Sequence, residues 1–192
     1  VKRTLDVEPP TPAQDVNALD EVPASTWFEP RAHADPEALF LGPGDSARGP
    51  APGKWKVVGT KVGGLAVGFQ IEDEQGARYL LKFDPVGYPE TETAADVIVQ
   101  RVLHAVGYHV PEDAVVYFSR DQLELDPEAQ EKTPQGRKKP LTPKRVQELL
   151  DLVEGGRAQK IRGLTSRFLK GVPLGGHAVT GTRYGDPNDR VP

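Results

Sequence analysis

The chain has 192 residues, with 24 lysines and arginines against 28 aspartates and glutamates and a formal net charge of -4. That length suits one domain, or one domain with a tail, and the near balance of charge argues against a general nucleic-acid or membrane-surface binder. Cysteine is absent, which excludes disulfides and removes the thiolates on which most structural zinc sites rest. Methionine is absent as well, position 1 included, so the chain is expected to be a mature form or a fragment. The turn-forming close "GDPNDRVP" puts the expected cut at the C-terminal end. No apolar run is long enough to span a membrane. The compartment stays open, with export weakly favoured for a chain that carries a proline-rich N-terminal arm.

Residues 1–53 read as an irregular proline- and glycine-rich arm, with linker-like "DVEPPTPAQDV" and "LGPGDSARGPAPG". Trp27 and Phe28 are too apolar for a free linker and are expected to anchor the arm by docking. "DPEALF", from Asp35 to Phe40, fits one short helical turn.

Residues 54–173 read as the folded domain. Residues 55–84 predict three antiparallel strands, "WKVVG", "LAVGFQIE" and "RYLLKFD". The turn "DEQG" joins the last two, and Gly76 supplies its positive φ. In the third strand Tyr79, Leu81 and Phe83 alternate against Leu80, Lys82 and Asp84, so Lys82 shares a face with an apolar residue. Residues 91–106 predict a helix with Ala95, Ile98, Val99, Val102 and Val106 as its apolar stripe. Thr91 is the expected cap and Gly107 the stop. "AVVYF", residues 114–118, predicts a fourth strand. The polar stretch 119–140 reads as a mobile insertion. Residues 142–154 predict a second helix capped by Thr142 with Pro143 in its first turn. "KIRGLTSRFLKG" predicts a fifth strand with Arg162 and Arg167 at its edges, and its surplus of basic residues reads as a solvated face. The sum is an α+β domain: an antiparallel sheet of about five strands with a covering helix.

The residues that carry chemistry lie between Gly59 and Asp96. With about 100° per helical residue, Glu92 lies roughly 60° and Asp96 roughly 100° from the centre of the apolar stripe. Either carboxylate can reach back to Lys82 on the sheet that the helix covers. Ahead of the lysine, "KVGGLAVGF" holds Gly63, Gly64 and Gly68. Phosphates need backbone N–H groups at close range, a cation on a rigid strand, and an acid that holds that cation extended. Taken singly, the glycines fit a plain bulged hairpin and Lys82 fits a snorkelling edge lysine. No G-x-G-x-x-G loop, nucleophile elbow or paired-histidine metal motif is present, and His33, His104, His109 and His177 are scattered. His104 stands near a helix end, where a cation suits the dipole. No catalytic or metal-binding residue is assigned.

A lysine on the third strand, an acid on the next helix and a glycine-containing hairpin before both resemble the N-lobe of atypical kinase-like families, typified by the HipA-like and CotH-like proteins. The stretches "EVPASTWF", "YLLKFDP", "GYHVPEDAVVYF", "SRFLKGVPLG" and "GTRYGDPNDRVP" are similar to those of an uncharacterised bacterial protein family within that layout. The resemblance implies ATP binding with magnesium, with Lys82 on the phosphates and Asp96, or alternatively Glu92, holding Lys82. It implies that Gly63, Gly64 and Gly68 cover the nucleotide. Residues 174–192 would begin a truncated C-terminal lobe, with the catalytic loop beyond it, so the chain is not expected to transfer phosphate alone. Asp186 and Asp189 fit a turn better than a metal pair. The acceptor substrate is not readable. The alternative is a non-catalytic kinase-like scaffold that serves as an envelope or protein-interaction module.

Overall fold

The computed structural model describes residues 24, 28–31, 36–44, 49–61, 66–132 and 137–171. Trp27, Gly63, Gly64, Asp186, Asp189 and the segment 174–192 lie outside the described residues. The chain divides into two compact units, Arg31–Leu169 and a second that joins Val1–Pro30 to Lys170–Pro192. Nearly all the described residues belong to the first unit.

That unit runs α1 (Pro36–Leu41), β1 (Trp55–Thr60), β2 (Gly68–Glu72), β3 (Arg78–Lys82), α2 (Thr91–Ala105), β4 (Asp113–Phe118), β5 (Leu123–Lys132), β6 (Lys138–Pro140), α3 (Pro143–Leu150) and β7 (Ile161–Arg167). The seven strands form one sheet in the order β4-β7-β3-β2-β1-β5-β6. The expected five-strand antiparallel sheet is therefore too small and too uniform. β1 pairs β5 in parallel, and the other ladders are antiparallel. The difference comes from the stretch expected to be a mobile insertion. Its described residues form a 3-10 turn at Arg120–Gln122 and then β5 and β6, which extend the sheet beyond β1.

The β2–β3 hairpin forms where alternating side chains meet a turn that satisfies its own backbone. Asp73 Oδ1 accepts from the N–H groups of Gln75 and Ala77 at 3.0 and 2.8 Å, and Gly76 takes φ 78°. The second oxygen accepts from Ala51 N at 2.9 Å, which ties the segment before β1 to the turn. Tyr79, Leu81 and Phe83 point to one face, as alternation requires. There they meet Trp55, Val57, Phe69, Ile71 and Phe118 together with Val146 and Leu150 of α3. Phe118 sits between Trp55 and Phe83, with ring centroids at 5.3 and 6.1 Å. α3 starts as its sequence predicts: Thr142 Oγ1 accepts from Arg145 N at 3.2 Å, with Pro143 in the first turn. It stops at Leu150 rather than 154, because residues 151–157 turn back and Arg120 binds the Gly156 carbonyl at 2.9 Å.

α2 covers the other face of the sheet, and two expectations about it are corrected. Thr91 is not the cap. Glu90 holds that position at φ 65°, and Thr91 Oγ1 donates to the Tyr88 carbonyl at 2.8 Å. The capping oxygens come from β3's extension: the buried Asp84 accepts from Glu90 N at 3.0 Å and from Thr93 N and Oγ1 at 2.9 and 2.8 Å. The apolar stripe also faces outward. Ile98, Val99, Val102 and Val106 are 60, 53, 46 and 46% exposed, whereas Thr93 is buried against Asp84 and Gln100 is buried beside Gly42 and the Pro111 carbonyl. The reason is electrostatic. Arg162, expected at a strand edge and a solvated face, sits inside β7 and donates to Asp84 Oδ2 at 2.9 Å. The Asp84–Arg162 pair also engages the Thr93 hydroxyl, and this network rotates the polar face of α2 inward.

Two substitutions separate this rotation from the one expected of an apolar stripe. Asp84→Ala leaves the partly buried Arg162 guanidinium without its buried carboxylate and strips the helix start, so it is expected to cost about 3 kcal/mol. Ile98→Ser lies on the outward face and is expected to change stability by no more than about 0.5 kcal/mol. Urea midpoints at an unchanged m-value measure both, and a loss of several kcal/mol in Ile98→Ser would contradict the outward orientation.

Candidate functional site

The site is built on the face of the sheet that α2 covers. Lys82 closes β3 and is flanked on both sides, by Gly68 of β2 and Leu164 of β7. Lys82 is therefore an interior lysine of the sheet rather than one on an edge. Lys82 and Asp84 are two residues apart and point the same way. Thr93 and Asp96 are three apart and share one side of α2. The Asp84–Thr93 contact thus brings Asp96 over Lys82 one helical turn later.

The result is an ion pair with Lys82 Nζ at 2.5 Å from Asp96 Oδ2. The side chains are 22 and 38% exposed, so the pair is partly sheltered yet open to a ligand on one side. Of the two acids left open by the sequence, the structure brings Asp96 to the lysine and leaves Glu92 exposed in the first turn. An ammonium carries three N–H donors, and Asp96 engages one, so the head group can serve an anion as well.

Gly68 has a packing reason to be glycine. A Cβ there would stand 2.6 Å from the Leu81 carbonyl oxygen and 3.1 Å from Lys61 Cδ. Lys61 N donates to the Gly68 carbonyl at 2.8 Å, which closes the hairpin at its mouth. The loop therefore starts and ends beside Lys82, with Lys61 close by. Gly63 and Gly64, the other two glycines expected to approach a phosphate, lie outside the described residues.

Sequence reasoning missed two residues here. Asp84 shares the alternation that singled out Lys82, so its inward direction was available. Asp113, on β4, was not: it reaches this face only through the strand order. Burial pushes its carboxyl up from the ordinary aspartate range. A hydrogen bond from Ser166 and the positive charge of Lys82 hold it down, and the negative charge of Asp96 pushes it up. His104, expected to suit a cation, is instead held below the ordinary histidine range by burial, by Arg31 and by His109.

Among the described residues no group of three His, Cys, Asp or Glu side chains is placed to hold a metal ion, and no helix is long and apolar enough to cross a membrane. No protein-family profile, curated protein or solved structure matches the chain.

Gly68→Ala checks the packing argument. The clash with a backbone oxygen cannot relax by a side-chain turn, so a loss of about 1–3 kcal/mol is expected in chemical denaturation. Unchanged stability would show that the β2–β3 ladder does not need glycine there.

Proposed function

We propose that the chain is the nucleotide-binding lobe of an atypical kinase-like phosphotransferase. The observation that carries this reading is the 2.5 Å contact between Lys82 on the third strand in chain order and Asp96 on the helix that follows. Kinase-type phosphate binding uses this pairing: a strand lysine on the phosphates, held by an acid from the next helix. In this reading Lys82 binds ATP phosphate, Asp96 holds Lys82 extended, and the hairpin with Gly63, Gly64 and Gly68 covers the nucleotide. Asp96 takes the role over Glu92 because it is the acid in contact. Magnesium would arrive with the phosphates, since it is commonly bound through substrate phosphates and few carboxylates. Phosphoryl transfer also needs a catalytic base and metal-holding carboxylates. No residue of this chain is assigned to those roles, nor is the acceptor identified.

A second reading is supported by α2. A helix that buries Thr93 and Gln100 while exposing Ile98, Val99, Val102 and Val106 suits a non-catalytic scaffold that binds another protein or an envelope component through that face.

The decisive measurement is thermal unfolding of the natural polypeptide that contains residues 1–192, with and without Mg-ATP. A ligand that binds only the folded state at a hundredfold excess over its Kd stabilises by about 2.7 kcal/mol. For a domain of this size that is a rise of roughly 5–10 °C. The rise is expected in the native sequence and lost in Lys82→Ala. No rise in either protein would leave the scaffold reading.

A further inference from the structure

The carboxylate of Asp113 is the unsolved group of this face. Its Oδ1 is the one buried side-chain nitrogen or oxygen among the described residues with no hydrogen-bond partner. Leaving a buried acceptor unpaired costs stability, and buried side-chain polar atoms are partnered in the large majority of cases. The exception calls for a reason.

The sheet register supplies one. Asp113 pairs Ser166 on β7, and Ser166 pairs Leu80 on β3. Lys82 pairs Leu164, which pairs Val115. Directly opposed residues share a face, so Asp113, Ser166, Leu80 and Lys82 all point toward α2. Asp113 and Lys82 are two strands apart across the sheet and two residues apart along it. At the usual spacings that separates their Cα atoms by roughly 12 Å. The long flexible stem of a lysine and an aspartate leaning toward it can nearly close that gap. Asp96 descends from α2 onto the same lysine. The charges of both Lys82 and Asp96 act on the Asp113 carboxyl.

We propose that Asp113 is a second positioning carboxylate for Lys82: the ammonium contacts Asp96 and not Asp113 in the structure, and can swing from the helix acid to the unpartnered oxygen of Asp113 on β4. Its nucleotide role rests on the function proposed above, but the sharing itself does not. Aspartate at position 96 has a short side chain and holds the lysine from one side only. Asp113 gives the ammonium a second acceptor on the sheet, which stays with Lys82 when α2 shifts. Arg167, the other cation near this end of β7, is engaged by Glu112 at 3.2 Å.

Two readouts separate this proposal from the nucleotide reading. The first is the titration of Lys82, followed by NMR of lysine labelled at Cε, in the native chain, Asp96→Asn, Asp113→Asn and the double variant. Asp113→Asn is expected to lower the Lys82 pKa by about half a unit or more, about threefold in proton affinity. The drop is expected to be larger when Asp96 is already asparagine. A residue with only a structural role would not shift that titration. Asp113→Glu keeps the charge, serves where the asparagine variant does not fold, and is expected to hold Lys82 near its native value. A Lys82 titration unchanged by Asp113→Asn in both backgrounds would overturn the proposal. The second readout is the Mg-ATP shift in melting midpoint. Asp96→Asn is expected to keep part of it and the double variant to lose it, as Lys82→Ala does. Coupling in the titration without a shift in any variant would uphold the shared lysine and remove the nucleotide.

Discussion

A single buried carboxylate sets the geometry of this molecule. Asp84 collects the N–H groups of Glu90 and Thr93, the Thr93 hydroxyl and the Arg162 guanidinium on its two oxygens. It thereby ends β3, starts α2 and binds β7 in one step. A helix start leaves four N–H groups without partners, and here an acid from a preceding strand answers part of that need. The same carboxylate neutralises an arginine that would be costly to bury alone. Once Thr93 is pinned to Asp84, Asp96 has one place to go, and Lys82 is already there.

The contact between α2 and the sheet is correspondingly polar. Gln100 donates to the Pro111 carbonyl at 2.8 Å, Lys82 meets Asp96, and Arg162 spans β7 and the helix start. A seat of this kind gains less from water exclusion than an apolar one, and it specifies angle more sharply, because each hydrogen bond has a direction. The apolar mass of the domain is invested on the opposite face, where three phenylalanines and Trp55 pack against α3. One face of the sheet thus supplies cohesion and the other carries ionisable groups that can meet a ligand.

How far the sequence could be read followed the range of the forces involved. Alternation in "RYLLKFD" and the helical repeat are local, so the three first strands, α2, α3 and the closeness of Lys82 to an acid of α2 could be read directly. The rotation of α2 could not. Its stripe of Ala95, Ile98, Val99, Val102 and Val106 marks an amphipathic helix without saying which side meets the sheet. The answer depended on Arg162, 78 residues from Asp84. β5 was hidden by Pro127, a residue that argues against a strand. The ladder tolerates it because the β1–β5 register jumps from Val57 opposite Leu125 to Gly59 opposite Gln130, so the proline falls within the irregularity. Asp113 gave no local signal, and its place on the same face of the sheet as Lys82 came from the order β4-β7-β3.

The far side of the sheet shows how the domain closes itself off. Without β5 and β6, the strand beginning at Trp55 would end the sheet and present a row of unpaired backbone groups to any passing chain. β5 takes that position, and the outermost strand is the exposed triplet Lys138, Lys139 and Pro140. Two lysines repel a copy of themselves, and a proline has no N–H to offer, so this border refuses a further strand. The insertion acts as a selvedge: it lets the domain carry the Lys82–Asp96 pair on one face of its sheet without inviting other chains to extend it at this end.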